Sequence, residues 1–168
     1  MTDMSDMNHN NNEQPDFNAI IGEEKLQALR DLIDLTDNRL TQQILTIGMD
    51  SREEDLVRIE AWPALGMAGT SALLGEILHA AAQLVRNPEE DEDVQNYVLQ
   101  TLALLPITEA EIKLAQEVLE GEAYILVKAA AFDILVKHQH VSGATSALES
   151  LQYDPDFGAS SKRVLHLN

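Results

Sequence analysis

One short pattern returns four times along this chain and limits its folds more than any other feature. Val57, Ala61, Ala64 and Leu65 set the spacing. Val94, Val98, Thr101 and Leu102 repeat it, followed by Val127, Ala131, Ile134 and Leu135, and then by Phe157, Ser161, Val164 and Leu165. Offsets of 0, 4, 7 and 8 lie on one face of an α-helix. Fourteen of the sixteen positions are apolar, about twice what a 45% hydrophobic chain would place there at random, so the face is read as buried. The starts lie 37, 33 and 30 residues apart, the period range of stacked helical repeats. A single unit of this kind cannot bury its stripe alone, so neighbours must stack.

Local signals divide the chain into helices. Ser51 with Glu54 and Thr108 with Glu111 have capping-box spacing. Asn87-Pro88 and Asp154-Pro155 each set a capping side chain before a proline suited to the first helical position. Gly48, Gly66 and Gly121 stand where helices should stop. Together these signals predict helices over 23–35, 38–48, 52–66, 71–86, 88–105, 109–120, 122–138, 143–152 and 155–166. The recurring stripe falls on every second helix from 52–66 onward. Pro63 lies inside that helix, where it removes a backbone hydrogen bond and should kink or shorten it. Residues 1–18 are polar, with Asn8, Asn10, Asn11 and Asn12, and are expected to form a disordered tail before a single domain at 19–168.

Val57-Arg58, Ala61 and Ala64-Leu65-Gly66 resemble the second helix of a HEAT repeat, whose usual text is an acidic loop followed by V-R-x-x-A-x-x-A-L-G. Val127-Lys128 with Ala131 and Leu135 is similar. The resemblance spans residues 38–168. It implies an all-α, right-handed α-solenoid of about four antiparallel hairpins with an N-terminal capping helix. The repeat arginine is present as Arg58, while Gln95, Lys128 and Gly158 stand at the equivalent places, so a ladder of stacked arginine–aspartate contacts is incomplete.

Charge then narrows the function. The net charge is −18, from 29 acidic and 11 basic residues. That balance opposes direct contact with nucleic acid or anionic membrane and suits a basic protein partner. In a stack of hairpins the turns before the striped helices share one edge. Those turns hold Asp50, Glu53, Glu54 and Asp55; Glu89, Glu90, Asp91, Glu92 and Asp93; Glu120 and Glu122; and Asp154 and Asp156. Favourable interaction with the helix dipole accounts for one or two acids per turn, but not for five in succession. The edge is therefore expected to be partner-binding, and Glu90→Lys to slow association while leaving stability nearly intact. Trp62, Leu99 and Phe132 share offset 5 and form either a row facing a partner or the packing between repeats. Tyr97 and Tyr124 are further anchor candidates.

No catalytic residue is assigned, because nucleophile elbows, P-loops and dinucleotide fingerprints are missing from the sequence. No metal or other cofactor is expected. There is no cysteine, and the closest histidine pair, His138 and His140, has the wrong spacing for a clamp on one helix. No apolar run reaches the ~18 residues of a membrane span, and the first residues lack the features of a secretory signal, so a cytoplasmic location is expected. The resulting expectation is a non-enzymatic, acidic binding module, most concretely an immunity or inhibitor protein. It would neutralise a basic toxin nuclease by covering its phosphate-binding surface. The alternatives are a general HEAT-like scaffold or adaptor, or a HEAT-like lyase or enzyme subunit.

Overall fold

The structure, a computed structural model, describes residues 14–166. The expected tail lies outside the described residues as far as residue 13. Beyond it, Phe17 is buried with the core, and its N–H donates to Gln43 Oε1 at 3.2 Å. The chain's packed part therefore begins before residue 19.

The described residues form nine α-helices and no strand. They are α1 (Gly22–Arg30), α2 (Asn38–Met49), α3 (Asp55–Leu65), α4 (Leu74–Arg86), α5 (Glu92–Leu102), α6 (Glu109–Glu120), α7 (Ile125–Lys137), α8 (Ala144–Ser150) and α9 (Gly158–Val164). Odd-numbered helices pack on one another in order from α1 to α7, and even-numbered helices do so from α2 to α8. Each even helix from α2 to α8 also packs on the odd helix that follows it. The recurring stripe is buried throughout α3, α5 and α7. On the even row, Ile77, Ala80, Ala81 and Leu84 of α4 repeat the i, i+3, i+4, i+7 spacing of a helix with one buried face. At the last helix Phe157 stacks on Phe132 of α7, with centroids 5.1 Å apart.

Several helices start later than their sequence signals suggest, and polar side chains supply the reason. Thr108 and Glu111 do form the expected box: Glu111 accepts from the Thr108 N–H at 2.8 Å, and the Thr108 hydroxyl accepts from the Ala110 N–H at 3.3 Å. Asn87, however, accepts from the Glu89 N–H in a turn, and Asp91 caps α5 by accepting from Asp93 and Val94. Residues 88–90 are thereby withheld from the helix. Asp50 takes the Arg52 N–H and forestalls the expected Ser51 box. Asp154 accepts from Asp156 and Phe157, and α9 begins only at Gly158. Pro63 stands in the last turn of α3, which closes in 3₁₀-type bonds from Gly66, Met67 and Ala68.

Gly48 lies within α2 and is not its terminator. Its carbonyl accepts from Trp62 Nε1 and from Arg58 Nε, both at 3.2 Å. A Cβ at this position would come within 3.0 Å of the indole nitrogen, so glycine here lets the tryptophan close against the helix.

Candidate functional site

The thirteen acids expected on one edge separate into three groups. Glu90 and Glu53 are drawn into the protein. Arg58 is 2% exposed and holds Glu90 through two parallel bonds of 2.8 Å, while its Nε caps the Gly48 carbonyl of α2. The fork-to-fork geometry is the strongest form of this contact. It raises the arginine pKa above its ordinary value, with the Glu90 hydrogen bond as the leading cause. Lys25 of α1 holds Glu53 through a single bond of 2.6 Å from its ammonium to one carboxylate oxygen. Glu90 is therefore a structural acid, and the expectation that Glu90→Lys leaves stability intact is overturned: a second cation would face buried Arg58.

The second group is engaged locally. Asp50 pairs with exposed Arg52 at 3.0 Å, and this bond holds its carboxyl below the usual range. Asp55 lies 3.8 Å from Arg58. Asp91 and Asp154 accept backbone N–H groups in their turns. The third group is Glu54, Glu89, Glu92, Asp93, Glu120, Glu122 and Asp156. These acids are exposed and have no cationic partner among the described residues. Arg58 reaches acids of both the 50–55 and the 87–91 segments, so it brings the first two clusters together.

Of the anchor candidates, Trp62 is withdrawn from any partner. It is fully buried, and its one donor is satisfied by Gly48. Leu99 is buried as well and Phe132 stacks internally, so the offset-5 column packs the helices together. Tyr97 is half-buried, whereas Tyr124 is 51% exposed at the start of α7. The neighbouring residues Ile125 and Leu126 are also exposed.

Sequence reasoning missed the buried ion pairs, although the sequence carries a signal for them. Lys25 lies 33 residues before Arg58, close to the repeat period, and Glu53 and Glu90 stand at the same offset before Val57 and Val94. At the next joint both charges are replaced together: Gln95 takes the cation's position and Ala123 the acid's. Gln95 then donates to the Leu84, Val85 and Asn87 carbonyls and closes the end of α4 as Arg58 closes that of α2. Gly158 occupies the same position in α9. A Cβ there would come within 2.7 Å of the Gln152 carbonyl, so the backbones meet directly.

Open grooves also mark the surface. One, of about 710 Å³, lies between α2 and α4 and mixes Asp50, Arg52, Glu76 and His79 with Leu45 and Met49. Another, of about 410 Å³, lies between α5 and α7. No group of three or more potential metal-ligating side chains occurs among the described residues, and no helix there is long and apolar enough to cross a membrane. No family model, curated protein or solved structure matches this chain.

Proposed function

We propose that this protein is a non-enzymatic binding module of HEAT-like solenoid form, built from about four helical hairpins, that covers a basic partner with its acidic edge. Its most concrete form is an immunity or inhibitor protein whose exposed carboxylates take the place of phosphates on a toxin nuclease. The fold part of this reading is supported by the two rows of helices, odd on odd and even on even. The functional part is carried by one observation. The acids around the start of α5 divide, with Glu90 held inward by Arg58 and Glu89, Glu92 and Asp93 exposed without cationic partners among the described residues. Folding does not require these exposed charges to lie together, since like charges in one turn repel. A basic surface would relieve that repulsion and gain on-rate from it.

The reading is tested by capturing the partner from native lysate on the immobilised full chain and washing with increasing salt. A basic protein that elutes as salt rises, and whose nucleic-acid cleavage stops when this chain is added back, supports it. A captured partner retained equally at low and high salt contradicts the electrostatic mechanism.

A further inference from the structure

Helix α7 carries more apolar surface than the core uses. Its inner stripe is buried, yet Leu126 beside that stripe is 52% exposed, and Leu104, just past the end of α5, is 61% exposed. Both line the 410 Å³ groove between α5 and α7. Asn96, Gln100 and Leu104 follow one another at helical spacing along one wall, a run of about 12 Å. Leu126, Ala129 and Asp133 line the other. The volume is near the low end of binding pockets, about 300–1,000 Å³, and suits one or two side chains better than a folded surface.

Charge along the groove is uneven. Asp133 is neutralised by Lys137 at 2.7 Å. At the helix starts the balance is reversed: Glu92 and Asp93 lie within one turn before Asn96, Glu122 lies four residues before Leu126, and all three are exposed without cationic partners among the described residues. We infer that the α5–α7 groove receives a segment of the partner that carries aliphatic side chains flanked by lysine or arginine. Aliphatic groups seat against Leu126 at the end near the helix starts and against Leu104 at the far end, where the Ala103 carbonyl meets His138, and the cation meets the carboxylates beside Leu126. A second copy of this chain does not fit, because it would bring another charge of −18 to the same acidic rim. The inference rests on the reading of the acidic edge as partner-facing and adds to it the seat of the apolar contact.

Two fluorescein-labelled peptides of equal length and charge test it, one alternating lysine with leucine and the other lysine with serine. The full chain is titrated into each by fluorescence anisotropy. The leucine probe should bind about tenfold more tightly than the serine probe. Leu104→Gln with Leu126→Gln should remove that difference, while Glu92→Gln with Asp93→Asn should weaken both probes. All four positions are exposed, and melting curves check that the variants fold. Equal affinity for the two probes, unchanged by the leucine substitutions, overturns the groove and leaves the acidic edge standing. Failure of the acid substitutions to weaken either probe overturns the edge reading and the groove with it.

Discussion

Helices α3 and α7 carry the same buried stripe, yet they are held in the protein by different means. At the second position of the pattern α3 has Arg58, which reaches back to the carbonyl end of α2 and forward to Glu90. The same position in α7 is Lys128, which makes no such bond among the described residues. On α3 the offset-5 residue is a fully buried tryptophan, whereas on α7 it is a half-buried phenylalanine. The first turn of α7 presents Ile125 and Leu126 to solvent. The stripe thus places both helices, but ion pairs lock the start of α3 and Arg58, whereas the end of α7 is tied to the end of α5 by His138 Nε2 and the Ala103 carbonyl at 3.0 Å. The α5–α7 side keeps free apolar and acidic surface.

The largest effect tests what the two helices share. Ala61→Asp and Ala131→Asp each bury an unpaired carboxylate at a fully buried site and should each cost more than about 4 kcal/mol. Circular dichroism should show both variants without the parent's cooperative melt. A parent-like melt for either would mean that the shared register is wrong.

Removing the second-position cation should separate the helices. Arg58→Met leaves Glu90 facing a buried site without a partner and should lose about 3–5 kcal/mol in urea unfolding. Lys128→Met should change stability by less than about 0.5 kcal/mol. Adding Glu90→Met to Arg58→Met should recover most of the loss, because an apolar pair replaces an ionic one. Equal losses at positions 58 and 128 would erase the comparison.

Two glycines sharpen the α2–α3 joint further. Gly48→Ala drives a methyl toward Trp62 and should cost about 1–3 kcal/mol. Gly75→Ala, in α4 with nothing within 4 Å of the added carbon, should gain about 1 kcal/mol from helix propensity. Thermal melts compare the two directly.

The smallest effect concerns an exposed bridge of the even row. Arg86 holds Glu117 through bonds of 2.9 and 3.0 Å, and this lowers the Glu117 pKa below its ordinary 4.5. A depressed carboxyl pKa gives stability that is present above the unfolded value and lost as pH falls through the folded one. Both side chains are 53% exposed, so solvent screening keeps the contribution below about 1 kcal/mol. Glu117→Gln should therefore lower the urea midpoint slightly near neutral pH and have no effect once the carboxyl is protonated.

Much of this arrangement is legible in the sequence, because apolar periodicity directly reports which face of a helix is buried. Val57, Val94 and Val127 mark the odd row correctly, and Thr108 with Glu111 marks the start of α6. Later starts such as that of α5 were hidden because Asn87 and Asp91 compete for the same role, and local spacing does not rank them. The acidic run from Glu89 to Asp93 reads as one feature in sequence. Its division in space depends on Arg58, more than thirty residues earlier, and only the repeat period connects the two. Trp62 shows the same limit, because its donor is met by a carbonyl fourteen residues away in another helix.

The division of the acids is the centre of this account, and urea unfolding of two variants tests it most directly. Glu90→Ala should lose about 3–5 kcal/mol, because Arg58 stays buried without its partner. Glu89→Gln, Glu92→Gln and Asp93→Asn combined should stay within about 1 kcal/mol of the parent, since relief of repulsion offsets the lost interaction with the helix dipole. If the triple variant loses as much stability as Glu90→Ala, those acids hold the fold together, and the partner-facing edge is contradicted.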